Sequence, residues 1–154
     1  MSIQNPAPND LLQSTIDRFW ETIPPTWNRI RTQIRTIAIE NFDITIEQFH
    51  ILRHIRKGFT SISELAEARG ISRSAASQTV DLLVEKGLVF RRENPEDRRF
   101  VQLELTPAGV DLLEGIFKKN RLWMQVKLSR LNPQELESAI RAMQTLKEAF
   151  ADES

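Results

Sequence analysis

The residues best suited to a chemical task lie close together near the start of one candidate helix. Arg73, Ser74, Ser77 and Gln78 fall on the side of that helix opposite its apolar residues. Small and polar side chains at a helix start can approach the phosphates and base edges of DNA closely. They could equally form the solvated face of an ordinary helical hairpin, so these residues alone leave both interpretations open.

A charged segment follows this helix and is flanked by two apolar runs. Positions 91–99 read RRENPEDRR, in which four arginines stand beside three carboxylates and Asn-Pro marks a turn. The runs at 88–90 and 100–105 predict the two strands of a hairpin. Charge runs are usually surface ribbons held by salt bridges. Directly after a candidate recognition helix, however, an arginine-tipped hairpin favours a wing that reaches the minor groove of DNA.

Capping signals define the helices that must position these residues. Ser61 and Glu64 form the S-x-x-E capping box of a helix start. Gly70 supplies a left-handed stop, and Ser72 is a good N-cap for the next helix. That helix is predicted to bury a stripe at helical spacing, made of Ala76, Val80, Leu83 and Val84. The pattern predicts a helix-turn-helix pair.

The N-terminal segment carries a second apolar stripe at helical spacing. Its members are Leu12, Ile16, Phe19, Ile23, Trp27, Ile30, Ile34 and Ile37. Pro24 and Pro25 predict a kink or a break, but the stripe resumes in register beyond them, which favours one bent helix over two. Thr45 and Gln48 then form a T-x-x-Q box that opens a shorter helix.

Two more helices are predicted at the C-terminal end, one from Thr106-Pro107 to about Arg130 and one from Gln134 to about Ala151. In the last helix we expect five buried residues: Leu136, Ile140, Met143, Leu146 and Phe150. Terminal helices this apolar exceed what a small helix-turn-helix core needs, so we expect them to pair with a second copy. A monomer whose long helices fold back on its own core is the alternative.

Several motifs together resemble the MarR family of winged helix-turn-helix transcription regulators. They are I-x-x-x-Q-F at 44–49, S-E-L-A at 63–66, S-R-S-A-A-S at 72–77, E-K-G-L-V at 85–89, D-R-R at 97–99 and L-T-P-A-G at 105–109. The resemblance covers nearly the whole chain and implies a mainly α fold with a small β-hairpin wing. It implies one domain over 1–154, with a winged helix-turn-helix lobe at 45–105 and dimerisation helices at 1–44 and 107–154.

The resemblance also implies function: a sequence-specific DNA-binding regulator, more often a repressor than an activator, on a pseudo-palindromic operator. We expect the DNA contacts to come from Ser61, Arg73, Ser74, Ser77, Gln78, Arg98 and Arg99. The resemblance implies that Asp97 orients Arg99 and that Arg99 enters the minor groove. The chain departs from the family pattern at Gln78, where many members carry arginine, and at Ala75 and Ala76, which replace a commoner Thr-Val. Because glutamine can pair with adenine through two hydrogen bonds, we expect a different preferred operator.

A small-molecule effector is implied by the resemblance as well, namely an aromatic or phenolic acid between the dimerisation helices and the DNA-binding lobe. Candidate lining residues are Trp20, Trp27, Arg31, His54 and Trp123, although aromatics at helical spacing are more often plain core. Glu47, His50 and His54 raise the alternative of a metal-responsive regulator. Two histidines and no cysteine make a poor zinc shell, and we expect neither a metal nor a cofactor.

Composition narrows the class of function further. A formal net charge of zero argues against a histone-like binder, which needs a global basic field. We find no glycine-rich phosphate loop, nucleophile elbow or H-E-x-x-H motif, so we expect no enzyme. With no long apolar run and no signal-peptide pattern, the cytoplasm is the expected location. A winged helix that binds only protein is the remaining alternative, and the arginines kept at 73, 91, 92, 98 and 99 argue against it.

Overall fold

A computed structural model of the chain describes residues 8–93 and 101–151. Its elements, in chain order, are α1 (Pro8–Phe42), α2 (Ile46–Arg56), α3 (Ile62–Arg69), α4 (Arg73–Glu85), β1 (Val89–Glu93), β2 (Val101–Leu105), α5 (Pro107–Leu128) and α6 (Pro133–Ala149). The two strands pair antiparallel. The predicted fold class, mainly α with a small β-hairpin, is confirmed. The chain divides into two compact units, Met1–Ile116 and Phe117–Ser154.

The helices around the candidate recognition helix begin where the capping signals predict. Thr45 caps α2 and Ser61 caps α3, each through a complete capping box. The Ser72 hydroxyl accepts a hydrogen bond from the Ala75 amide at 3.1 Å and caps α4. Gly70 ends α3 in the left-handed conformation, with φ of +63°, which a residue with a side chain adopts only at a cost.

The core of the first unit joins α2, α3, α4, the hairpin and the start of α5. Its fully buried side chains are Phe49, Ile51, Leu52, Leu65, Val80, Leu83, Val89, Leu103, Leu113 and Ile116. On α4 the predicted stripe is buried at Ala76, Val80 and Leu83, whereas Val84 is half-buried. Burial on this scale fixes α4 on its inner side, so its outer side is presented at a defined position.

Hydrogen bonds beyond the ladder fix the base of the hairpin. The Leu103 amide donates to the Thr60 carbonyl at 2.8 Å, and the Thr106 amide donates to the Leu88 carbonyl at 3.1 Å. The Thr106 hydroxyl donates to the Gly87 carbonyl at 2.6 Å. A Cβ at Gly109 would overlap the Leu88 carbonyl oxygen, which explains a glycine at the end of the L-T-P-A-G motif.

Helix α1 is continuous for 35 residues and contains both Pro24 and Pro25. The preference for one helix over two is therefore confirmed. Much of its predicted apolar stripe is exposed in the single chain, including Leu12 at 55% and Trp27 at 52%, whereas Ile37 near its end is buried. In the described part of the chain, no helix combines the length and the apolar character needed to cross a bilayer.

The expected burial on α6 is wrong for this single chain. None of its residues is buried: Ile140 and Met143 are 63% and 62% exposed, and Phe150, the residue that follows the helix, is 71% exposed. Leu136 and Leu146 are half-buried. The reason is that helical periodicity reports an apolar face without saying whether the same chain covers it. The start of α6 is as expected, since Asn132 caps it with a capping box to Glu135.

Candidate nucleic-acid interface

The predicted DNA contacts of α4 lie on the first half of the helix. Arg73, Ser74 and Gln78 are exposed, and Ser77 is half-buried at the edge of the core. The first turn of α4 carries no acidic residue, so nothing there opposes the positive end of the helix dipole. The structure thus brings four predicted side chains together on one short stretch that can donate hydrogen bonds to phosphates or bases.

Ser61 differs from these residues because its polar groups are already engaged. The Glu64 carboxylate accepts hydrogen bonds from the Thr60 amide at 2.9 Å, the Ser61 amide at 2.9 Å and the Ser61 hydroxyl at 3.0 Å. The Thr60 amide contributes most to lowering the pKa of Glu64, followed by the bonds from Ser61. A phosphate at this helix start would be repelled by the Glu64 carboxylate. The contact between Ser61 and the DNA backbone therefore stays a prediction.

The hairpin carries two ion pairs on opposite faces. Arg91 Nη2 lies 2.6 Å from Asp81 Oδ1 on α4, and Arg92 Nε lies 3.0 Å from Glu104 Oε2 on the neighbouring strand. Asp81 lies on the exposed side of α4, and no local pattern in the sequence identifies Arg91 as its partner. The predicted wing residues Asp97, Arg98 and Arg99 lie outside the described residues.

A cleft of about 570 Å³ lies within the first unit, beside α1 and α2. It is lined by Trp27, Asn28, Arg31, Thr32, Ile34, Arg35, Ile46, Phe49, His50, Arg53 and Arg69. Two of the five predicted ligand residues, Trp27 and Arg31, line it. Trp20 and His54 do not, and Trp123 belongs to the second unit.

Sequence reasoning missed most of the positive charge in this cleft. Arg35, Arg53 and Arg69 line it in addition to Arg31. The spacing of Trp27, Arg31 and Arg35 by four residues could have shown that they share one helix face. Arg53 and Arg69 come from α2 and α3 and join the set through tertiary packing, which no local pattern reveals.

The electrostatics of the cleft favour an anion. Arg69 donates from Nε and Nη2 to the two carboxylate oxygens of Glu47, both at 3.1 Å, and this bond does most to lower the pKa of Glu47. Burial lowers the pKa of His50 to about 4, and the nearby positive charges of Arg69 and Arg53 add to the shift. His50 is therefore neutral at pH 7, and Glu47 neutralises one of the four guanidinium groups.

The structure does not gather Glu47, His50 and His54 into a metal site. Glu47 is held by Arg69, and His54 Nδ1 donates to the His50 carbonyl at 2.7 Å. Over residues 8–93 and 101–151, no three acidic or histidine side chains are arranged to hold a metal ion. The metal-responsive alternative thus has no supporting geometry in this part of the chain.

Comparison with known proteins gives matches in sequence. A family model described as "MarR family" matches residues 42–99. The transcriptional repressor MdtR of Bacillus subtilis is 30% identical over 113 residues, which are 73% of each chain. YhbI of Bacillus subtilis, an uncharacterized HTH-type transcriptional regulator, is 30% identical over 101 residues, and the alignment spans 65% of this chain and 65% of that relative's length. The relatives are transcription regulators, which confirms the prediction that the chain is not an enzyme.

Solved structures match over most of the chain. YusO of Bacillus subtilis is 26% identical with a TM-score of 0.69, and the match covers 93% of this chain and 99% of that one. A MepR variant of S. aureus bound to an oligodeoxyribonucleotide is 21% identical with a TM-score of 0.67, covering 86% of this chain and 98% of that one. The likeness to the MepR variant shows that the two chains share a fold.

Proposed function

The chain belongs to the MarR family of transcription regulators, and from this premise we propose that it is a repressor that binds a pseudo-palindromic operator as a homodimer. The observation that carries the proposal is the outer side of α4. Arg73, Ser74 and Gln78 are exposed there, on a helix whose inner side is buried at Ala76 and Val80. A fixed helix with polar side chains on its first turns suits the major groove.

Each residue of this surface has a role in the proposal. Gln78 pairs with a base edge, adenine being its best partner, while Arg73 and Ser74 contact phosphates or bases. Ser77 and Ser61 contribute at the margin of the surface. Arg98 and Arg99 enter the flanking minor groove, with Asp97 orienting Arg99. The roles of these three residues rest on the sequence alone.

Homodimer formation is supported by the apolar side chains that the single chain leaves exposed. Ile140 and Met143 on α6 are more than 60% exposed, as is Trp20 on α1. Large exposed apolar residues grouped on helices mark interaction surfaces more often than not. A two-fold dimer places two copies of α4 roughly 34 Å apart, which is one turn of duplex, and so requires two half-sites.

Repression is supported by the similarity to MdtR, a transcriptional repressor. DNA as the target is supported by the MepR variant, whose structure contains an oligodeoxyribonucleotide. A repressor needs a release signal. We propose a small aromatic or phenolic acid in the cleft beside α1 and α2, where the Trp27 ring offers a stacking surface and Arg31 a carboxylate partner.

Selection of bound duplexes from a random DNA library tests the proposed function. The purified protein is used at low and at moderate salt, because phosphate contacts weaken steeply with ionic strength. We expect a pseudo-palindrome with half-sites one turn apart at both salts. Failure to enrich any motif would contradict the proposal and favour a winged helix that binds protein, whose apolar contacts respond little to salt.

The effector is tested separately with 4-hydroxybenzoate and its neutral analogue 4-hydroxybenzyl alcohol. We expect the acid alone to bind in calorimetry and to weaken operator binding. Arg31→Gln should abolish both effects, whereas Arg29→Gln, an exposed arginine of α1 outside the cleft, should retain them. Equal binding of the acid and the alcohol, or an unchanged Arg31→Gln variant, would remove Arg31 as the carboxylate partner.

A further inference from the structure

One ion pair joins the recognition helix to the hairpin outside the hydrophobic core. Asp81 lies three residues after Gln78, so the two side chains share the outer side of α4. Its carboxylate meets the Arg91 guanidinium at 2.6 Å, with side chains 52% and 37% exposed. A carboxylate on this surface repels phosphates unless a nearby cation neutralises it. The presence of Asp81 there therefore needs a physical explanation.

The hairpin register explains why Arg91 points toward α4. Arg91 is directly opposite Leu103, and directly opposite residues of an antiparallel pair place their side chains on one face. Leu103 and Val89 on that face are buried in the core. Arg91 therefore continues the core-facing side of β1 past the point where the apolar core ends, and there it meets Asp81.

The ion pair ties strand β1 to α4, whereas the hydrogen bonds outside the ladder hold the start of the hairpin and strand β2. The Thr106 amide and hydroxyl donate to the Leu88 and Gly87 carbonyls where the hairpin begins, and the Leu103 amide, on the strand opposite Arg91, donates to the Thr60 carbonyl. From Phe90 onward every described residue of β1 is exposed. A two-stranded ribbon has little stiffness of its own, so a tie at Arg91 limits how far it can swing relative to α4.

We propose that Asp81 is a positioning residue for DNA recognition, which holds Arg91 and thereby sets the angle between the wing and the recognition helix. This inference rests on the proposed function, because it concerns how the two DNA-binding elements engage one site together. Proteins that read two grooves at once need those elements at a fixed relative position. Loss of the tie therefore reduces binding to the correct site more than binding to DNA in general.

The competing account is that Arg91 contacts a phosphate and that Asp81 is incidental. The two accounts differ in the sign of the effect at Asp81. If Arg91 only attracts phosphate, Asp81→Asn removes a repulsive charge and should raise affinity for any duplex. If Asp81 positions the wing, the same change should lower the ratio of operator affinity to non-operator affinity.

The experiment uses the duplex selected by the wild-type protein and a scrambled duplex of equal length and composition. Asp81→Asn, Arg91→Gln and their double variant are compared by fluorescence anisotropy at one salt concentration. We expect the affinity ratio to fall about three- to tenfold in each single variant, with no further fall in the double variant. Asp81→Glu, which can restore the pair, should recover most of the ratio.

A matched control is available on the other face of the same hairpin. Arg92 and Glu104 form an ion pair across the two strands, on the face of the hairpin opposite Arg91. Arg92→Gln and Glu104→Gln should combine additively and leave the affinity ratio within about twofold of wild type. The melting temperature should change by no more than about 2 °C in all these variants, since the pairs are exposed.

The possible results distinguish failure of the positioning role of Asp81 from failure of the proposed DNA-binding function. If the wild-type protein selects no duplex, the proposed function fails. If it selects one and Asp81→Asn keeps or raises the affinity ratio, the positioning role is overturned while the function stands. Additive losses in the double variant, or failure of Asp81→Glu to recover the ratio, would likewise overturn it.

Discussion

Helices α4 and α6 are both amphipathic and both begin at a side-chain N-cap, yet the chain treats their apolar faces in opposite ways. In α4, Ala76, Val80 and Leu83 are fully buried. In α6, which is four residues longer (17 against 13), no residue is buried and Ile140 and Met143 are exposed. The apolar face of α4 is therefore covered by its own chain, whereas α6 presents a face that another surface can cover.

Under the proposed function, this difference corresponds to a difference in task. A helix that reads DNA must be held rigidly from behind, because its outer side chains have to meet base edges within a narrow range of positions. A helix that joins two copies needs its apolar face free in the single chain and covered in the dimer. Substitutions on the two faces should therefore affect different measurements.

The largest effect is expected at Leu83, in the buried face of α4. Leu83→Ala should lower the free energy of unfolding by about 2–4 kcal/mol, because it removes a fully buried side chain and leaves a cavity. Urea denaturation at one fixed protein concentration measures this. Leu82→Ala is the matched control, since the neighbouring Leu82 is 49% exposed and should cost less than about 1 kcal/mol. Equal losses at both positions would mean that α4 is not anchored through the described face.

A smaller effect, seen in association and not in folding, is expected on α6. Ile140→Glu should weaken dimerisation at least about tenfold, because a carboxylate would be buried where an apolar side chain was. Sedimentation equilibrium measures the dissociation constant. Ala142→Glu adds the same charge on the opposite side of α6 and should leave association unchanged, since Ala142 is exposed there. A dimer unaffected by Ile140→Glu would exclude this face of α6 from the interface.

The smallest effect is expected in how the unfolding free energy of the lobe that contains α4 depends on pH. The pKa of His50 is about 4 in the folded chain against 6.5 ordinarily, with burial as the main cause. Between pH 6.5 and 4 the unfolded chain therefore binds a proton that the folded chain does not, and stability falls as the pH falls. Because His50 is only half-buried, we expect about 1 kcal/mol from it over this range.

Replacement by an uncharged residue isolates this contribution. His50→Gln should flatten the dependence of the unfolding free energy on pH between 7 and 4.5, because the unfolded variant has no imidazole to protonate at position 50. Urea denaturation across that range measures the two slopes. Identical slopes would show that the folded chain binds a proton at His50 as readily as the unfolded chain does.

Local signals in the sequence predicted the parts of the fold that depend on local interactions. The caps at Thr45, Ser61, Ser72 and Asn132 are all present, because a cap involves residues three positions apart. The hairpin and the buried stripe of α4 followed from periodicity. The continuity of α1 through Pro24 and Pro25 followed from the register of its apolar residues.

Features that depend on distant residues could not be predicted in the same way. The apolar side chains of α6 were predicted to be buried, because helical periodicity does not show whether the same chain or another surface covers them. The pair between Asp81 and Arg91, and the meeting of Arg31 with Arg53 and Arg69 at one cleft, arise from packing between separate elements. A charge run such as that of the hairpin shows which residues are polar, but not which partner each one meets.

Base reading by the outer side of α4 is tested by a parallel duplex selection with wild-type protein and Gln78→Ala. Both proteins are exposed to the same random library at the same salt concentration. We expect the variant to lose its base preference at one position, repeated symmetrically in both half-sites, and to retain the other positions and the half-site spacing. An identical selected motif from the two proteins would contradict the claim that Gln78 reads the DNA.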